Sequence, residues 1–123
     1  MDELTPVEKL MAEVAANMIA ITEEETWKIV QPPSGPMSEV GHYHTLNKRN
    51  LRRKELDAIQ RVLDDVAYNT AAMVFALLDG RLDTEEEVPQ LKVVEETSGE
   101  PIADSMHGAF LSIWEDEEED EEA

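Results

Sequence analysis

The chain has 123 residues, 29 of them acidic and 10 basic, a formal charge of -19 and no cysteine. One domain suits that length, and the lack of cysteine excludes a disulfide framework, a thiolate metal site and a cysteine nucleophile. Such a negative chain repels phosphate, so direct nucleic-acid binding is not expected, and no apolar run nears the roughly 20 residues of a membrane span.

The acidic start Met1-Asp2-Glu3 is unlike a signal peptide, which makes the cytoplasm the expected location. Thr5-Pro6-Val7-Glu8 then reads as a helix start, with an N-cap threonine, proline at the first helical position and glutamate at the third. Val7, Leu10, Met11, Val14, Met18 and Ile21 recur at spacings of three and four as one apolar stripe. Thr22-Glu23-Glu24-Glu25 interrupts the stripe, leaving Trp27 and Val30 to a bent continuation or to a second short helix. Three prolines and a glycine between Pro32 and Pro36 end any helix, so residues 31–44 are expected to form a Pro-rich connecting loop. His42 and His44, at i and i+2 of an extended segment, project to one side and are weak candidates to share a metal, with Glu39 or His107 as third ligand.

Lys48, Arg49, Arg52, Arg53 and Lys54 hold half of the basic residues within seven positions, and residues 31–56 as a whole carry two acids against five bases. Placed at a helix N-terminus, these cations oppose the helix dipole by about 0.3 to 1 kcal/mol each. That cost points to an external anion, with Lys48, Arg49, Arg52 and Arg53 as its site, to an acidic partner, or to the chain's own acidic segments folding back. No Gly-rich phosphate loop accompanies the patch.

A helix of about 30 residues is expected to start between Thr45 and Asn50 and to close at Gly80, with Leu56, Ile59, Leu63, Val66, Thr70, Met73 and Leu77 as its core stripe. Tyr68, Ala72 and Phe75 lie away from that stripe and mark either cover by another helix or the face of a homodimer. Leu91-Lys92-Val93-Val94 suggests a short strand before a turn at residues 97–101. Asp104 or Ser105 could cap a last helix whose Met106, Phe110, Ile113 and Trp114 share one face.

Glu115, Asp116, Glu117, Glu118, Glu119, Asp120, Glu121 and Glu122 close the sequence as eight consecutive acids. A like-charge run of that length repels itself and is read as a disordered tail. The expected fold is therefore mainly α: a small helical bundle around a long central helix, with one short strand or hairpin at most. Residues 1–114 form a single helical domain and residues 115–123 the acidic tail.

No catalytic signature is assembled, and no cofactor is expected. The reading that follows is a non-catalytic acidic interaction module whose tail and surface engage a basic protein, in the manner of inhibitors, immunity proteins and nucleic-acid mimics. Two alternatives stand beside it. One is a small anion- or metal-binding domain, with or without enzymatic activity, built around His42, His44, Arg49, Arg52 and Arg53. The other is a homodimeric assembly subunit.

Overall fold

The computed structural model describes residues 3–80, 91–102 and 105–122, with side chains as far as Asp116. Among them are four helices: α1 (Pro6–Val30), α2 (Met37–Asn47), α3 (Arg53–Leu78) and α4 (Met106–Glu122). The protein is mainly helical, as its apolar periodicity requires. The chain divides into two compact units, Met1–Ala16 with Tyr68–Ala123, and Asn17–Ala67. The helices α1 and α3 each contribute to both.

The start of α1 is the expected capping box. Glu8 N–H donates to the Thr5 hydroxyl (3.3 Å), while Thr5 N–H donates to Glu8 Oε1 (2.9 Å). The Thr5 N–H first, and then the Thr5 hydroxyl, hold the Glu8 carboxyl below its ordinary value. The helix is not interrupted at Thr22. That residue is buried, its hydroxyl donates to Asp64 Oδ1 (2.5 Å), and α1 runs on to Val30.

In the first unit the aromatic residues decide the packing. Phe110 is wholly buried, with ring centroids 5.1 Å from Phe75, 5.9 Å from Tyr68 and 5.9 Å from Trp114; Tyr68 lies 5.7 Å from Trp114. Such pairs add about 0.5–1.5 kcal/mol beyond the area they bury. Met106, Ile113 and Trp114 are buried as the spacing of α4 anticipated, and Met11 and Ala15 of α1 are buried in the same unit. Ser105 caps α4 by accepting from Gly108 N–H (2.9 Å). Asp79, just past the end of α3, accepts from Met106 N–H (3.0 Å), His107 N–H (2.9 Å) and the Ser105 hydroxyl (3.3 Å). A carboxylate there meets the positive end of the α4 dipole. The adjoining Gly80 takes φ +71, the left-handed turn that ends α3.

This packing corrects the expected core stripe of α3. Leu56, Ile59 and Leu63 are half-buried, but Val66, Thr70, Met73 and Leu77 are exposed. The inward side passes through Ala67, Tyr68, Ala71, Ala72 and Phe75 instead. A strict 3.5-residue repeat drifts around a straight helix by about 20° per heptad. The larger aromatic side chains, matched by Phe110 and Trp114, take the buried side.

The second unit rests on polar contacts as much as on apolar ones. Gln60 Nε2 donates to the Thr22 hydroxyl (2.8 Å) and Asp64 Oδ1 (3.0 Å), and Gln60 Oε1 accepts from the Thr26 hydroxyl (2.5 Å). Ile29 is buried there. Residues 37–44, expected within a loop, belong to α2. Pro36 precedes that helix, its carbonyl accepting from Glu39 N–H (2.9 Å) and Val40 N–H (3.1 Å). No residue of α2 is buried, so no apolar period announces it. Consequently α3 begins at Arg53, later than the Thr45–Asn50 start that the periodicity suggested.

In place of a strand, residues 91–102 form a turn closed by one bridge between Val94 and Pro101, with Ile102 N–H donating to Val93 O (3.1 Å). Asp104 lies outside the described residues. The backbone of the expected tail, Glu115 to Glu122, belongs to α4, and its side chains are described only to Asp116.

Phe110→Ala is expected to cost about 3–5 kcal/mol, whereas Met73→Ala, on the exposed side of α3, should stay within about 1 kcal/mol. Urea denaturation of both variants checks this; equal losses would return Met73 to the core. Asp79→Ala should cost about 1–2 kcal/mol by leaving α4 amides without their acceptor.

Candidate functional site

The only basic patch of the sequence lies at the corner between α2 and α3. Lys48, Arg49, Arg52, Arg53 and Lys54 are all exposed. Lys48 is the C-cap of α2, and Arg49 follows it. Those two cations therefore meet the negative end of a helix dipole and are stabilised by it, a correction to the expectation that the whole patch opposes one. Only Arg52, Arg53 and Lys54 stand at the N-terminus of α3. There Glu55 offsets them within the first turn, accepting from Arg52 N–H (2.9 Å). Asn50 makes the corner with φ +51, a left-handed conformation that asparagine tolerates better than most residues.

Beside the corner is a cleft of about 180 Å³ lined by Ile29, Val30, Leu46, Asn47, Asn50, Leu51 and Leu56. Asn47 Nδ2 donates to Ile29 O (3.0 Å) and Val30 O (3.2 Å), satisfying the last carbonyls of α1. Its lining mixes aliphatic side chains with two asparagines and includes none of the five cations.

The structure separates the two histidines. On the helix α2, residues two apart diverge by about 200°, so His42 and His44 do not share a side as they would on a strand. His44 Nε2 lies 3.2 Å from Pro33 O, and His42 is exposed with its ring 4.1 Å from that of Tyr43. Among the described residues no three His, Asp or Glu side chains gather closely enough to hold a metal.

A cluster that sequence reasoning missed lies nearby. Tyr43 Oη donates to Glu25 Oε2, Lys28 Nζ pairs with Glu25 Oε1 (2.9 Å), and Lys28 stands 5.5 Å from the Tyr43 ring centre. The phenol first, and then the ammonium, hold the Glu25 carboxyl below its ordinary value. In turn the carboxylate raises both the Tyr43 phenol and the Lys28 ammonium. The cluster ties α2 to the end of α1. Only the Glu25–Lys28 spacing of three was visible in the sequence; Tyr43 is eighteen residues away from Glu25.

The face that had suggested a dimer is occupied within the chain, since Tyr68 and Phe75 pack on Phe110 and Trp114 and Ala72 is half-buried. Of the acidic run, Glu115 and Asp116 are exposed, and the side chains of Glu117, Glu118, Glu119, Asp120, Glu121 and Glu122 lie outside the described residues. Exposed carboxylates also occur on every other helix, among them Glu23 and Glu24 of α1, Glu39 of α2, and Asp57 and Asp65 of α3. No protein-family model, no curated protein and no solved structure matches this chain.

The Glu25–Tyr43 contact makes stability depend on pH at both ends. Glu25, depressed, stabilises the fold above the ordinary carboxyl value of 4.5, and that contribution is lost as pH falls through its lower folded value. Tyr43, raised, contributes fully below the phenol's ordinary 10.0 and ceases to as pH climbs through its higher folded value. Tyr43→Phe should bring the Glu25 titration midpoint, followed by carboxyl NMR, back up towards 4.5. An unchanged midpoint would show that the phenol does not hold Glu25.

Proposed function

We propose that the protein is a non-catalytic interaction module whose acidic surface engages a basic protein partner, as an inhibitor, an immunity-type neutraliser or a nucleic-acid mimic does. One observation carries the reading: carboxylates stand exposed on all four helices of a chain with charge -19, while half of its cations are confined to one corner. A surface so charged steers a positive partner into contact, and its attraction weakens as salt shortens the Debye length. The run Glu115–Glu122 adds the densest charge of the sequence.

A second reading has its own observation. Five exposed cations within seven positions suit an acidic ligand, so the corner is an alternative site in which Arg49, Arg52 and Arg53 do the binding. On α2 His42 and His44 diverge, so this reading rests on the cations and not on a shared metal.

Titration of the full chain into a panel of basic proteins by calorimetry tests the proposal. Binding should be strong near 0.01 M ionic strength, where the Debye length is about 30 Å, and fall steeply by 0.15 M, where it is about 8 Å. Replacing the eight acids from Glu115 to Glu122 by their amides should weaken it about tenfold or more at low salt. If no basic protein binds, and inorganic phosphate or an acidic peptide does, the corner reading replaces this one.

A further inference from the structure

The aromatic packing of α3 leaves its opposite side bare. Val62, Val66, Met73 and Leu77 are 61%, 58%, 47% and 37% exposed. Because α3 is one unbroken helix, its geometry alone aligns them: spacings of four, seven and four make a single stripe. Asn69 and Thr70, both exposed, occupy the middle of the gap of seven.

Two properties of the stripe identify what covers it. Its four side chains are aliphatic, and although Arg61 and Asp65 border its first turn, from Val66 to Leu78 there are thirteen residues without Asp, Glu, Lys, Arg or His, in a chain where charged residues make up 32%. A basic partner finds no carboxylate along that length, and an acidic one finds no cation. It is also palindromic. Val62 and Leu77 have the same midpoint as Val66 and Met73, and that midpoint falls between Asn69 and Thr70. A two-fold interface requires a surface complementary to itself.

We propose that a second copy of this chain docks here, α3 against α3 and antiparallel, with the two-fold axis between Asn69 and Thr70. Each Val62 then meets Leu77 of the second copy, each Val66 meets Met73, and each Asn69 meets Thr70. A polar pair inside an apolar seam selects register and direction, because any slip strands it against aliphatic groups. Antiparallel alignment also places the positive end of one helix dipole beside the negative end of the other. The last turn of α3 has no basic residue, and Arg61 of the second copy comes level with it.

Four aliphatic side chains from each copy make a small interface, so the dimer is concentration-dependent. Two chains of charge -19 repel elsewhere, so salt tightens it. That is the opposite of the salt response expected for a basic partner. The two proposals therefore stand or fall separately.

Sedimentation velocity on the full chain across the micromolar to millimolar range tests the dimer, at low and high salt. Reversible dimerisation that strengthens with salt is expected. Val66→Lys and Met73→Asp should each weaken it by about tenfold or more, since each sets a lone charge against an apolar side chain. The double variant should recover most of the loss, because every new lysine then faces a new aspartate. A wild-type chain that stays monomeric throughout overturns the proposal, as do single variants that dimerise normally or a double variant weaker than both. Should either variant fold poorly by circular dichroism, the cysteine-free sequence offers a second measurement. Asn69→Cys should be crosslinked by a bismaleimide spanning about the 8–10 Å of packed helices, and Asp57→Cys, on the other side of α3, should not. No crosslink at Asn69→Cys is equally fatal.

Discussion

Stacking of Tyr68 and Phe75 on Phe110 and Trp114 is the contact on which the first unit depends. Six aromatic residues are present in the chain, and four of them meet here. Their size decides which side of α3 is turned inward, and with it which aliphatic side chains are left outside. Asp79 depends on the same arrangement. At the end of α3 its charge is unfavourable to its own helix, but against the first amides of α4 it becomes a cap. One carboxylate thus joins the end of one helix to the start of another, reinforcing the register that the rings choose.

The second unit is built differently. Thr22, Thr26, Gln60 and Asp64 form a connected set of hydrogen bonds between α1 and α3, with a single buried apolar residue, Ile29. Polar contacts of this kind contribute roughly 0.5–1.5 kcal/mol each but are directional, so they specify alignment better than they add stability. The helix α2 is the extreme case: it has no buried residue and is held by Tyr43 on Glu25, His44 on Pro33 and Asn47 on the end of α1. Acid and alkali should each loosen this unit through Glu25 and Tyr43.

Charge organises the surface. Carboxylates are spread over four helices, half of the cations are gathered at one corner, and α3 keeps an uncharged length from Val66 to Leu78. We propose different partners for these regions: a basic protein for the acidic surface, and another copy for the uncharged stripe. Two of the five corner cations are explained locally, by the dipole at the end of α2, and so need no ligand to account for them.

Much of this was legible in the residues alone. The capping box at Thr5, the C-terminal ends of α1 and α3, and the buried face of α4 follow from short-range rules: a cap binds amides three residues away, and a helix repeats every 3.6 residues. The exposed carboxylates needed only composition. Other features rest on pairs far apart in sequence, to which no local rule applies. Phe75 and Phe110 are thirty-five residues apart, and their meeting leaves the second half of the expected α3 stripe outside. Tyr43 and Glu25 hold a helix whose residues show no apolar period, so His42 and His44 looked extended when they are helical. Asp79 was an unremarked acid at a helix end until α4 arrived to use it. Periodicity and capping determined where three of the helices lie; which faces they bury was decided by tertiary contacts, because burial is a property of what packs against a side chain.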